Sequence, residues 1–317
     1  AEFVTECETF DFAGFKDTIK AAVIALNEVL DEGLPLHPLK EQRESVRDWR
    51  QIGLGVMGLA DMFIKLKVKY GSETSLRILD TIGHELIMTA LETSSELAEE
   101  YGAFPRFDRD GVLKTKFFKS LDSGDMNDFR FQDLHERIHK YGLRNSQLLT
   151  CAPTGSIATM LGVSTGCEPI FATSYTRKTE SLVNEEKYYK VYTPIIKELI
   201  DEGFQEDSLP AYVVTSEQIP YTERISVQAT LQNYIDASIS STINLPESAT
   251  VDDVETIYRL AWEKGLKGVT VYRSGCKRGA VLSKNPTIKE CLKRPESVEA
   301  KLIRFKNGSE NWIAFVG

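Results

Sequence analysis

The sequence predicts a helix-rich α/β fold with parallel strands, closed or open. Three observations carry that expectation. Apolar residues recur every three or four positions through the first third of the chain, which is the helical period. Short apolar or β-branched runs bounded by turn signals follow at 146–151, 241–245 and 268–272. Helical stretches separate the last two runs, and strand–helix–strand order implies parallel pairing.

The elements follow in order. Ile19, Ala22, Val23, Leu26 and Leu30 mark one face of a helix, which Gly33-Leu34-Pro35 ends. A second helix is predicted from about residue 41, through Gly53-Leu54-Gly55-Val56-Met57-Gly58, to Leu66. Each glycine costs a helix about 1 kcal/mol relative to alanine, so this segment reads as a core helix approached closely by another backbone. A third helix spans 75–100, with Leu79, Ile82, Leu86 and Ala90 inward. Residues 102–127 are polar and rich in Gly and Asp and read as a long surface loop. A helix over 129–140 comes next, then the strand at 146–151 and a helix opening at Ile157. Residues 185–202 and 227–237 read as helices. Thr250 with Asp253 three residues on forms a capping box for a helix to Lys264, closed by Gly265. At the end, 301–306 and 311–316 flank Asn307-Gly308-Ser309 and read as a β-hairpin.

Composition narrows the function. The chain has 317 residues and is 42% hydrophobic and 27% charged, enough to bury a core and too apolar for disorder. Its net charge of −9 argues against binding a nucleic-acid polymer, because that affinity comes from clustered Lys and Arg. No run of about 18 apolar residues predicts a membrane span, and the first residues do not read as a signal peptide. The five cysteines, Cys7, Cys151, Cys167, Cys276 and Cys291, are widely spaced and form no CxxC. They read as reduced intracellular thiols, which predicts a cytoplasmic protein.

The sharpest chemical signal is Pro153-Thr154-Gly155-Ser156-Ile157, where the strand at 146–151 gives way to a helix. Unpaired amides at a helix start attract anions, Gly155 admits one to the backbone, and Thr154 and Ser156 add hydroxyls. An ordinary capped turn uses the same residue types. In Ser164-Thr165-Gly166-Cys167-Glu168-Pro169, Glu168 reads either as a carboxylate that orients a substrate hydroxyl or as a solvated loop residue. His135 and His139 have metal-ligand spacing but no recognisable third ligand, so no metal site is predicted. Cys151 and Cys167 read as buried small apolar residues. Cys276 and Cys291 lie in polar surroundings and are candidates for disulfide exchange.

Taken together, several motifs resemble the second half of the catalytic barrel of ribonucleotide reductase large chains. They are Leu143-Arg144-Asn145-Ser146-Gln147, Ala152-Pro153-Thr154-Gly155-Ser156-Ile157-Ala158 and Gly166-Cys167-Glu168-Pro169, with Ile52-Gly53-Leu54-Gly55-Val56-Met57-Gly58-Leu59-Ala60-Asp61 before them. Ser241-Thr242-Ile243-Asn244-Leu245-Pro246 and Gly268-Val269-Thr270-Val271-Tyr272-Arg273 resemble the adenosylcobalamin-dependent class. Arg294-Pro295-Glu296 and the hairpin resemble the start of that class's C-terminal β-module.

The resemblance implies residues 1–295 as the C-terminal half of a ten-stranded α/β barrel, and 296–317 as the beginning of a truncated β-hairpin module. It implies replacement of a ribose 2′-hydroxyl by hydrogen through a cysteine thiyl radical, with adenosylcobalamin as cofactor. Pro153, Thr154, Gly155, Ser156 and Ile157 would hold the substrate phosphates. The family's Asn-x-Cys-x-Glu radical loop is missing, and Cys7 sits in Thr5-Glu6-Cys7-Glu8 without the asparagine. No catalytic residue is therefore assigned. The implied partners are a ribonucleotide, an N-terminal half that supplies the radical cysteine, and a thioredoxin-like or other dithiol reductant for Cys276 or Cys291. Two alternatives stand beside this reading. One is the large chain of the metal-dependent class, whose tyrosine pair would need Tyr188-Tyr189 near the late strands. The other is an inactive phosphate-binding assembly module.

Overall fold

The computed structural model describes residues 1–122, 128–180, 186–275, 301–307 and 310–316. The chain divides into two compact units, Ala1–Lys284 and Asn285–Gly317. The expected boundary at 295 lies outside the described residues.

Helix α1 (Phe12–Gly33) starts where the Asp11 carboxylate accepts the Gly14 amide at 3.0 Å. Its buried face of Phe15, Ile19 and Val23 packs against α4 (Glu73–Tyr101), which turns Leu79, Ile82, Leu86 and Ala90 into the same core. Between them lie α2 (Lys40–Trp49) and α3 (Leu59–Lys65). The continuous helix predicted over 41–66 is therefore broken. Arg50 and Gly58 take left-handed conformations (φ +44° and +75°), and between them Leu54 bridges Leu149 in parallel. The glycines do permit close backbone approach, but by an extended segment. A Cβ on Gly55 would overlap the Thr150 carbonyl oxygen, and one on Gly53 would lie 2.8 Å from the Thr150 Cγ2.

Of the loop predicted over 102–127, the described residues 102–122 are more structured than predicted. They include α5 (Arg109–Lys114) and α6 (Lys116–Ser120), capped by the Asp108 and Thr115 side chains. Phe104, Phe118 and Leu121 are buried, so the segment covers core. Helix α7 (Phe129–Tyr141) follows as expected, and α8 (Gly155–Leu161) comes after the extended run at 147–151.

The helix predicted over 185–202 is a strand and a shorter helix. Strand β1 (Ser174–Glu180) pairs antiparallel with β2 (Glu186–Tyr192), and α9 (Pro194–Asp201) begins at a proline. Aromatic and β-branched residues favour the strand, and proline at the first helical position sets the new start. Tyr188 and Tyr189 thus lie on a hairpin strand and not in a charged helix. Helix α10 (Tyr221–Gln232) begins six residues earlier than predicted, after Pro220.

Strand β3 (Thr242–Leu245), helix α11 (Val251–Glu263) and strand β4 (Thr270–Arg273) form the parallel unit expected, in register Thr242↔Thr270. Both halves of the capping box at Thr250 and Asp253 are made. This unit continues a larger parallel array. Ile52 and Leu54 amides donate to the Gln147 and Leu148 carbonyls at 3.0 and 2.8 Å. On the other side, the Cys151 amide donates to the Ser238 carbonyl at 3.1 Å, and Ser240 donates back to Cys151 at 2.8 Å. Four parallel extended segments therefore stand side by side: 52–54, 147–151, 237–245 and 270–273. The Asp236 carboxylate accepts the Leu148 and Leu149 amides, each at 2.7 Å, and fixes the start of the second segment. The second unit contains β5 (Lys301–Asn307) paired antiparallel with β6 (Glu310–Val316), the hairpin expected at the end.

Close packing at Gly55 predicts a sharp contrast between two glycines. Gly55→Ala should lower stability by about 1 to 3 kcal/mol through overpacking. Gly33→Ala, with no atom within 4 Å of an added Cβ, should be neutral or stabilising by about 0.4 to 1 kcal/mol. Urea denaturation of both variants measures the difference.

Candidate functional site

Two turns meet at the carboxyl end of the second parallel segment, the usual ligand side of an open α/β sheet. The first turn is Ala152-Pro153-Thr154, which leads into α8. Pro153, Gly155, Ser156 and Ile157 are exposed there. Thr154 takes the left-handed conformation (φ +52°, ψ +20°), which costs a non-glycine residue about 1 to 2 kcal/mol. Its side chain does not cap α8. Instead, Thr154 Oγ1 accepts the Gly166 amide at 2.9 Å, and the Thr154 carbonyl accepts the Ala158 amide at 2.8 Å. The start of α8 therefore faces solvent. A Cβ on Gly155 would meet no protein atom within 4 Å.

The second turn, 164–168, carries Gly166 and Glu168. Gly166 has φ +47°, and an added Cβ would lie 3.0 Å from the Ala152 carbonyl oxygen. Glycine is required at this crossing for both reasons. Buried Asp61 accepts the Ser164 amide at 2.7 Å. Tyr70 donates to the Cys167 carbonyl at 2.6 Å. Glu168 is half-buried; one carboxylate oxygen pairs with Arg224 and the other accepts the Thr242 amide at 2.7 Å. Arg224 also donates to the Thr242 carbonyl at 2.7 Å, and to Ser241 Oγ and Tyr70 Oη at 3.3 and 3.4 Å. Burial works against the charge on Arg224, but the Tyr70 phenol and the Glu168 carboxylate more than offset it, and its pKa is raised. Burial pushes the Tyr70 phenol up, so it is a neutral donor at physiological pH.

The structure brings the two sequence motifs together: Thr154 touches the turn that holds Glu168. Both Glu168 oxygens already have protein donors. Asp61 closes the glycine-rich motif at 52–61, whereas Tyr70 and Arg224 carry no sequence signal of their own. Arg224 falls before the predicted start of its helix, and Tyr70 lies in a connection. Cys151 and Cys167 are both buried beneath the turns, and the neighbouring Cys151 thiol and burial push the Cys167 thiol up. Cys7 is exposed in the turn between Val4 and Phe10. Cys276 and Cys291 lie outside the described residues. His135 packs near the Phe118 ring, 6.1 Å between centroids. Among the described residues no cluster of three or more His, Cys, Asp or Glu side chains converges, and no helix is long and apolar enough to cross a membrane.

Comparison with known proteins places the chain in a family. The family model for the ribonucleotide reductase barrel domain matches residues 1–272. A vitamin B12-dependent ribonucleoside-diphosphate reductase of Mycobacterium tuberculosis is 33% identical over 291 residues, covering 86% of this chain and 38% of the relative. The protein of the same description from Thermoplasma acidophilum is 28% identical, covering 96% of this chain and 39% of the relative. A ribonucleoside-diphosphate reductase large chain of Encephalitozoon cuniculi is 28% identical, covering 82% of this chain and 30% of the relative. The chain thus spans under two fifths of the length of these relatives.

The Thr154 hydroxyl is the contact between the two turns, and its loss should be measurable. Thr154→Ser keeps the acceptor for Gly166 and should stay within about 0.5 kcal/mol of the parent. Thr154→Val removes it and should cost about 1 to 3 kcal/mol in thermal denaturation.

Proposed function

Because the chain belongs to the ribonucleotide reductase barrel-domain family, we propose that it supplies the substrate phosphate-binding part of such an enzyme. In this reading Thr154, Gly155, Ser156 and Ile157 hold the phosphates of a ribonucleotide, with Pro153 fixing the approach. The observation that carries it is the exposed start of α8 beside the open space at Gly155. Backbone amides and two hydroxyls there can meet a phosphate without a lysine. This suits a chain of net charge −9.

The reaction we assign to the whole enzyme replaces the ribose 2′-hydroxyl with hydrogen through a thiyl radical. The radical cysteine would come from the part of the relatives that this chain does not match. Cys276 and Cys291 are the proposed points of exchange with a dithiol reductant. Glu168, on the turn that meets Thr154, is the proposed substrate-pocket residue.

Adenosylcobalamin comes to this chain through relatives named as vitamin B12-dependent. The cavity beside α1 and α4 does not fit a corrin ring. It measures about 410 Å³ and has a largely apolar wall, including Phe3, Phe15, Val56, Met62 and Leu86. Corrin amides need polar partners. The metal-dependent alternative needs a tyrosine pair near the late strands, but Tyr188 and Tyr189 lie on β2, whose ladder partner is β1.

Calorimetry with ADP tests the phosphate turn. Gly155→Val has room in the free protein, so it should fold normally and lose ADP affinity by about tenfold or more, the cost of blocking one anion site. Unchanged affinity would overturn the assignment. Mixing this chain with the unmatched region of a B12-dependent relative, adenosylcobalamin, a nucleoside diphosphate and a dithiol should yield deoxynucleotide. ADP binding without turnover would favour the assembly-module reading.

A further inference from the structure

The phosphate turn does not hold its own shape. Thr154 sits in a disfavoured backbone region, and its hydroxyl is tied only to the second turn, through Gly166. That second turn is itself anchored from outside. Tyr70, in the connection between α3 and α4, donates to the Cys167 carbonyl one residue after Gly166. Arg224, on α10, reaches Tyr70, pairs with Glu168 and binds the carbonyl of Thr242 at the start of β3. Hydrogen bonds from Arg224 and Tyr70 therefore hold residues 167 and 168, and the backbone joins these to Gly166, whose amide holds Thr154.

Stability alone is a poor reason for such an arrangement. The Arg224 side chain is only 3% exposed. A buried ion pair is often no better for stability than apolar residues of the same volume, because both charges lose water. What a guanidinium does provide is fixed geometry. Its planar fork holds several acceptors at once, and a flexible ammonium does not. Here the acceptors belong to three separate places in the chain: the 164–168 turn, the connection before α4 and the start of β3.

We propose that Arg224, Tyr70 and Glu168 form a positioning unit for ligand binding. They set the 164–168 turn at the distance that keeps Thr154 in its left-handed conformation, and so aim the amides at the start of α8. The role assigned to Glu168 is then to brace the pocket from within, since both its oxygens already bind protein donors. The ligand part of this inference rests on the phosphate reading; the positioning part does not.

The mildest test is Tyr70→Phe. The ring remains against Phe63, 5.7 Å between centroids, and only the hydroxyl is lost. The melting temperature should stay near that of the parent. The Gly166 amide should exchange with deuterium about tenfold faster. ADP affinity should fall about three- to tenfold, the effect of one net hydrogen bond. Arg224→Lys and Arg224→Met provide a graded pair. The lysine variant keeps the charge without the fork and should recover only part of the affinity that the methionine variant loses. A folded Tyr70→Phe protein with parental Gly166 exchange and parental ADP affinity would overturn the proposal. Should the parent not bind ADP at all, the phosphate reading fails, while exchange at Gly166 still decides whether these residues position the turn.

Discussion

The parallel array depends on one buried polar junction. Asn145 lies where the second extended segment begins, and it is 1% exposed. Its side chain bonds Asn27 of α1, Ser94 of α4 and the carbonyl of Arg50. Arg50 begins the first extended segment and reaches Asn27 and Asp31. The two segments therefore start from the same cluster. The shared cluster sets their register, and a slip of one residue would exchange the faces of Leu148 and Leu149. Breaking such a cluster at one member leaves buried donors or acceptors without partners, which is why it specifies a single arrangement.

Everything at the site follows from where the second segment ends. Asp236 and the Asn145 cluster fix its start, Gly53 and Gly55 let the first segment lie against it, and Cys151 pairs with 238–240 on its far side. The chain then emerges at Ala152 with its direction determined. The two turns beyond it differ in kind from the array. They are held by side chains from α3, α10 and the connection before α4, so their geometry answers to distant parts of the sequence.

That difference explains what was legible in the sequence. Thr250 and Asp253, Gly265, and the β-branched runs at 242–245 and 270–273 are local signals, and the structure follows them. The glycines at 53–58 gave the correct cue for close approach, but helix and extended segment share it. Only Thr150 as the approaching partner decides between them. Charged residues around 185–192 masked a strand whose partner, β1, carries no clear signal of its own. Phe104, Phe118 and Leu121 were hidden in a polar stretch whose Asp108 and Thr115 cap two short helices. The phosphate turn stood out because a single stretch contains it. Tyr70 and Arg224 did not, because each is 154 residues from the other and their meaning arises only on folding.

Thr154 has a further thermodynamic consequence. Its dihedral angles are committed to an uncommon basin in the unliganded protein, and the opposing turn keeps them there. At the proposed phosphate site, an arriving anion would meet donors whose freedom was surrendered during folding. Little entropy would remain to be lost on association, so more of the electrostatic attraction would survive as affinity. Conformational tension at Thr154 would in this way be converted into readiness.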